Sequence, residues 1–257
     1  MNQFNPFSVA GKVVVVTGAS SGIGQSIAVE LSKLNVIVVG IGRNKERLIE
    51  TKEMMVNTDA HLFINADLTQ EEDLQEIRNK VSEKYEKIHG VVHCAGISST
   101  ILLKSINTSK IQSHFEINVF AALSLTKVLL NRKDKLFDSG SSIVFISSVM
   151  ENHGATGKTL YGMTKGAILS GVKSLSIELA SKGIRVNAIA PSVIDTPLSQ
   201  ASYYRSNPET LAKVQKMHPL GLGKPTDVAY AAVYLLSEAS SWVTGTSLVV
   251  DGGYSAL

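Results

Sequence analysis

The stretch Val13-Val14-Val15-Val16-Thr17-Gly18-Ala19-Ser20-Ser21-Gly22-Ile23-Gly24 decides how this chain is read. Its first half is a β-branched run with no polar alternation, the mark of a strand covered on both faces. A glycine-rich turn follows, and from Gly22 to Leu34 the apolar residues recur at helical spacing. The glycines have separate uses: Gly18 permits a tight turn, Gly22 lets a phosphate approach the backbone, and Gly24 lets the helix pack closely. The helix N-terminus adds unpaired N–H groups and the positive end of a dipole. Gly18, Ser20, Ser21, Gly22, Ile23 and Gly24 are therefore expected to hold the pyrophosphate of a dinucleotide.

Outward from this unit the same alternation continues. Further strands are expected at 36–39, 61–65, 90–93, 142–146, 185–189 and 247–250, with helices at 71–85, 111–131, 160–180 and 226–236. Strand–helix alternation over the whole length predicts a single α/β domain over 1–257. This is a doubly wound, Rossmann-type parallel sheet of about seven strands flanked by helices, with right-handed crossovers. No linker, repeat or low-complexity segment divides it. The segment 196–223 breaks the rhythm; it is polar, contains Tyr203-Tyr204, and reads either as a substrate lid or as an ordinary surface loop with a helix in it.

Composition narrows the class. The 257 residues are 44% apolar and 18% charged, a balance that excludes a disordered chain. The single cysteine, Cys94, excludes an internal disulfide framework and fits a reducing compartment. The net charge of +3 is dispersed, with no basic stripe beyond Arg132-Lys133 and nearby Lys135, so no nucleic-acid partner is expected. No secretory leader and no apolar run of membrane-spanning length is found, so a soluble cytoplasmic protein is expected.

Tyr161 and Lys165 stand four residues apart in a helical stretch, which places phenol and ammonium on one face. Hydride reduction of a carbonyl leaves an alkoxide that must collect a proton, and a phenol of pKa about 10 is a poor proton exchanger at neutral pH. A neighbouring cation is expected to favour the phenolate and lower that pKa. At the end of the second strand stands Gly42-Arg43-Asn44-Lys45, with no acid before Glu46. An acid there binds ribose hydroxyls and repels a 2′-phosphate, whereas Arg43 can bind that phosphate. NADP(H) is the expected cofactor, with NAD(H) as the alternative.

The spacing Gly-x-x-x-Gly-x-Gly, from Gly18 to Gly24, together with Tyr161-x-x-x-Lys165, resembles the short-chain dehydrogenase/reductase family, and the resemblance runs from Gly11 to Tyr254. It implies that Asp67 and Leu68 meet the adenine, and that Cys94-Ala95-Gly96 forms the cofactor turn after the fourth strand. Pro191, Ile194 and Thr196 would belong to the nicotinamide-side loop, and Asp251-Gly252-Gly253 to the C-terminal signature. Ser148, thirteen residues before Tyr161, matches the serine that bonds the substrate oxygen. Asn118 matches the asparagine that holds a water leading from the lysine to solvent, and the lysine also binds the nicotinamide ribose. The catalytic set implied is Asn118, Ser148, Tyr161 and Lys165. The pattern is similar to 3-oxoacyl-[acyl-carrier-protein] reductases, although Ile177 stands where those tend to carry a carrier-docking arginine. Lys127, Arg132, Lys133 and Lys173 are alternative docking charges.

Three departures from the family pattern bear on the site. His93 and Cys94 occupy positions where many members carry asparagines, and Ser192 replaces the usual glycine after Pro191. Cys94 reads as a small buried residue and not as a nucleophile. His89 and His93 lie on a strand, about 13 Å apart by the usual rise, so no metal is expected. His153 reads as a solvated loop residue or a substrate contact. A sugar, polyol or steroid-like ketone stays open as substrate, as does an idle dinucleotide-sensing regulator on the same fold. The family's habit implies a homotetramer, or else a dimer, with Ala121-Ala122-Leu123 and Ala167-Ile168-Leu169 either on outer helix faces or in the monomer core.

Overall fold

The computed structural model describes residues 4–131, 135–200 and 207–257. Seven strands make one sheet: β1 (Val13–Thr17), β2 (Ile37–Gly42), β3 (Leu62–Asn65), β4 (Ile88–His93), β5 (Phe137–Ile146), β6 (Arg185–Pro191) and β7 (Ser247–Val250). Their order is β3-β2-β1-β4-β5-β6-β7, and every pairing is parallel. The helices are α1 (Gly22–Lys33), α2 (Lys45–Glu53), α3 (Glu71–Lys84), α4 (Thr108–Phe115), α5 (Ala121–Leu129), α6 (Thr159–Ala180), α7 (Pro197–Gln200), α8 (Pro208–Lys216) and α9 (Pro225–Leu236).

The unbroken valine run follows from two buried faces. Val14 and Val16 point to the layer of α1 and α9, where Ile27, Leu31, Val228 and Leu235 are fully covered. Val13 and Val15 point to the opposite layer, against Ile77 and Val81 of α3 and Leu125 and Leu129 of α5. A third cluster seats α6, through Ile168, Val172 and Leu179, on Ile143, Phe145 and Val186. Of the two places open to them, Ala121, Ala122 and Ile168 take the core, because their helices need those positions against the sheet. Phe120, Leu123 and Met163 are among the apolar residues left outside.

The expected helix over 111–131 begins earlier, at Thr108, where Asn107 caps the helix by accepting from the Lys110 N–H at 2.9 Å. It is also interrupted by a π-helical turn, Glu116–Phe120, between α4 and α5. Helix α2 had no apolar periodicity to reveal it, since only Leu48 and Thr51 are buried. Segment 196–223 holds α7 and α8, while Tyr203-Tyr204, like Arg132 and Lys133, lies outside the described residues. No helix of the described residues is long and apolar enough to cross a membrane.

Consecutive strands run outward from β1 in opposite directions, β2 on one side and β4 on the other. That reversal opens a crevice beyond the carboxyl ends of the strands, the usual binding place of an open α/β sheet.

Candidate active site

A cleft of about 410 Å³ fills this crevice. Gly18, Ser20, Ser21, Gly22, Ile23, Gly24, Arg43, Asp67, Leu68, Cys94, Ala95, Gly96 and Thr196 all line it, so residues far apart in sequence meet at one surface. The glycine turn works by close approach. Gly18 has φ +65°, and a Cβ there would press on the backbone N of Ala95 at 2.9 Å. A Cβ on Gly24 would collide with the carbonyl oxygen of Gly18. Gly22, at φ +56°, faces the Thr196 side chain across the cleft. The Thr17 hydroxyl joins β1 to β4 by accepting from the N–H groups of Cys94 at 3.0 Å and Ala95 at 3.1 Å. The turn is thus a cradle that only glycines can shape, and its exposed backbone fits a dinucleotide pyrophosphate.

At the adenosine end, Asp67 accepts from the N–H and hydroxyl of Thr69 at 3.0 and 2.9 Å. Arg43 is exposed at the wall, and Arg47, which the sequence reading passed over, lines the same wall. The available signal is Asn44, which caps α2 by accepting from the Arg47 N–H at 2.7 Å and so puts Arg47 in the first turn of that helix. Pro191 and Ile194 stand behind Thr196. Pro191 closes β6 against Val250, while Ile194 is buried and bridges to Gly223.

Tyr161 joins Lys165 to Ser148, and Lys165 and Asn118 stand beside Gly96. Its hypothetical Cβ would lie 3.1 Å from Asn118 Oδ1 and 4.0 Å from Lys165 Nζ, so the end of β4 must be bare. Asn118 sits in the π-helical turn, a distortion often found at functional sites. It brackets the Ile97 backbone, accepting from the N–H at 2.8 Å and donating to the carbonyl at 3.0 Å, and also donates to Thr164 Oγ1 at 3.0 Å. Lys165 is buried and donates to the Ile146 carbonyl at 2.8 Å. Burial pulls its pKa down to about 8.

Ser148, two residues beyond the end of β5, caps a short turn, Val149–Glu151, that lies on α6. Gly162 allows this contact, since a Cβ there would stand 3.2 Å from the Met150 carbonyl. Ser148 thereby reaches Tyr161, and their hydrogen bond favours the phenolate. Burial works against it and is stronger, pushing the phenol up to about 12. The expected lowering by Lys165 is therefore not the dominant effect within the protein chain. The Tyr161 ring has ammonium groups of both Lys165 and Lys158 at 5.5 Å from its centroid.

The departures from the family pattern each find a physical reason. His93 is buried, stacks on Phe145 at 4.6 Å between centroids, and shares a 2.8 Å hydrogen bond with Thr126. Burial lowers its pKa to about 3, so the ring is neutral packing. His89 instead accepts from the Val13 N–H at 3.0 Å, and the two imidazoles serve separate partners. Burial pushes the Cys94 thiol up, away from the thiolate a nucleophile needs. Ser192 is not among the described residues with positive φ, so its position does not require glycine. Its hydroxyl donates to His218 Nε2 at 2.8 Å, while His218 Nδ1 donates to the Val214 carbonyl at 2.7 Å. His218 stacks on Tyr254, whose other neighbour is His153. His153 is exposed, with Nδ1 3.2 Å from the Val149 carbonyl. The described residues contain no group of three His, Cys, Asp or Glu placed to hold a metal.

Known proteins share this arrangement. A family model described as enoyl-(acyl carrier protein) reductase matches residues 18–255. The 3-oxoacyl-[acyl-carrier-protein] reductase FabG of Thermotoga maritima is 31% identical over 248 residues, covering 95% of this chain and 97% of that protein. A 7α-hydroxysteroid dehydrogenase, solved with NADH and 7-oxo glycochenodeoxycholic acid, superposes with a TM-score of 0.90 at 28% identity, covering 98% of each chain. A Tyr-to-Phe variant of ElxO with NADPH bound gives a TM-score of 0.87 at 31% identity, covering 96% of this chain and 99% of that one. With the glycine cradle, the parallel sheet and the Ser148–Tyr161–Lys165 grouping in place, this chain belongs to the short-chain dehydrogenase/reductase family and is an NAD(P)-dependent oxidoreductase acting on CH–OH and C=O groups.

Proposed function

We propose that this enzyme is an NADP(H)-dependent reductase that converts a ketone to a secondary alcohol. The observation that carries the reading is the line of contacts from the cleft to the phenol: Lys165 stands beside cleft-lining Gly96 and against the Tyr161 ring, and Tyr161 is hydrogen-bonded to Ser148. The nicotinamide supplies the hydride to the carbonyl carbon. Ser148 steadies the carbonyl oxygen as negative charge develops there, and Tyr161, protonated at neutral pH, delivers its proton to that oxygen. Lys165 and Asn118 position the ribose and the proton supply. A dinucleotide sensor would have no use for this proton-transfer set, which favours the enzyme over a regulator.

The choice of NADP(H) rests on Arg43 and Arg47, both on the adenosine wall, with Glu46 the first acid after β2. Relatives bind either nucleotide, one with NADH and one with NADPH in its structure, so the reading comes from this chain's own charges. On the substrate side, the FabG relative supports a 3-oxoacyl thioester on a carrier. Ile177 favours a second reading, a free small ketone, because it is 78% exposed where a docking arginine would stand. For assembly we infer a homotetramer, supported by the outward Phe120, Leu123 and Met163. The test of cofactor choice is the ratio of kcat/KM with NADPH to that with NADH. It should exceed tenfold in the parent and fall toward unity in Arg43→Ala, with a smaller fall in Arg47→Ala. A preference of the unaltered enzyme for NADH would refute it.

A further inference from the structure

Lys158 stands three residues before Tyr161, at the N-terminal cap of α6. Its ammonium lies 5.5 Å from the centre of the Tyr161 ring. Two neutral acceptors hold it, Ser98 Oγ and the Ser99 carbonyl, both at 3.2 Å. These tie it to the loop that follows β4, next to Gly96 and the end of the cofactor cleft.

Among the described residues no carboxylate answers this charge. Other lysines form ion pairs: Lys33 with Glu30, Lys80 with Glu76, Lys87 with Asp138, and Lys213 with Glu209. Lys158 is half-buried, and among the described residues no carboxylate pairs with it. Burial lowers its pKa, the direction expected of a cation losing water without gaining a partner. Its place is also unfavourable for a cation, since the helix dipole is positive at that end. A neutral glutamine could make hydrogen bonds to the Ser98–Ser99 loop without these costs. An ammonium has three donors, of which Ser98 and Ser99 take two, leaving one donor and a full charge. That remainder suits a singly charged carboxylate better than a phosphate, which takes several donors at once.

We propose that Lys158 seats a carboxylate of the substrate, so that the ketone reduced beside Tyr161 is a short oxo acid, its acid group a few bonds from the reacting carbon. This deepens the second reading given under Proposed function, a free small ketone, and rests on that subsection for the placement of the ketone. Lys158 would then set specificity: it binds the part of the substrate that does not react, and Tyr161 serves the part that does.

Calorimetry with 4-oxopentanoate and its methyl ester tests this without turnover, on the enzyme saturated with the oxidised dinucleotide, which cannot reduce them. The acid should bind at least tenfold more tightly than the ester. Lys158→Gln should remove that preference, and Lys158→Arg should keep most of it, with each variant's melting temperature recorded to check folding. No preference in the parent, or an equal weakening of acid and ester in Lys158→Gln, makes the lysine a clamp on the Ser98–Ser99 loop and overturns the proposal. A Lys158-dependent preference for dihydroxyacetone phosphate over dihydroxyacetone, with none for the acid over the ester, overturns the carboxylate assignment. If no dinucleotide binds, the oxidoreductase reading has failed, and the acid–ester contrast is measured on the protein alone.

Discussion

Lys165 donates to the carbonyl of Ile146 at 2.8 Å, so the last residue of β5 holds the ammonium in the site from below while burial lowers its pKa to about 8. The proton donor and the cation beside it consequently titrate apart, with Tyr161 pushed up to about 12. In the reductive direction Tyr161 must begin protonated, and it stays so throughout the neutral range. In the proposed mechanism Lys165 must be charged to hold the ribose, and it loses that charge as pH rises through about 8. The expected profile of reductive kcat/KM, which reports the free enzyme, is flat up to about pH 8 and falls above it. Lys165→Arg should move the falling limb upward. An efficiency that climbs through this range would contradict the assignment.

His93 makes a separate prediction about stability. Its pKa falls from 6.5 in the open chain to about 3 in the fold, because the buried ring cannot take a proton without charging the core. For a group depressed on folding, the contribution is fully present above the unfolded value and is lost as pH falls from 6.5 toward 3. Lowering the pH from about 7 to about 5 should remove about 2 kcal/mol through this residue alone. Urea unfolding of the parent and of His93→Asn at both pH values checks it. The variant should lose about 2 kcal/mol less than the parent over that interval, and parallel losses would show that His93 does not carry the effect.

Much of this arrangement was legible in the sequence because its cause is periodic or steric. Val13 to Val16 announces a strand covered on both faces, and Gly18 and Gly24 stand where any side chain would strike Ala95 or the Gly18 carbonyl. What escaped has its cause in three dimensions. Helix α2 buries only Leu48 and Thr51, so it leaves no apolar rhythm, and Arg47 went unnoticed with it. The π-helical turn at Asn118 changes the helical register without changing the composition. Ala121, Ala122 and Ile168 are small or apolar on either face of a helix, and only packing shows that they face the sheet. The balance at Tyr161 was misjudged in sign because four-residue spacing brings Lys165 near but says nothing of how deeply both groups are buried. Lys158 carries no signal of its own in the sequence, because the neutrality of its neighbours shows only in three dimensions.

The account stands on Tyr161 as the group that hands a proton to the reduced oxygen, and one comparison tests this most directly. Oxidation of NADPH is followed by nicotinamide absorbance with a ketone that the parent reduces, in the parent and in Tyr161→Phe, alongside the dissociation constant for NADPH. The phenyl ring keeps the packing of α6 and leaves the glycine cradle untouched, so nucleotide affinity should stay within a few-fold of the parent. Turnover should drop by at least the factor of about 10²–10⁴ that a positioned proton donor contributes. Near-parental turnover in Tyr161→Phe would contradict the proton route and, with it, the role assigned to the site.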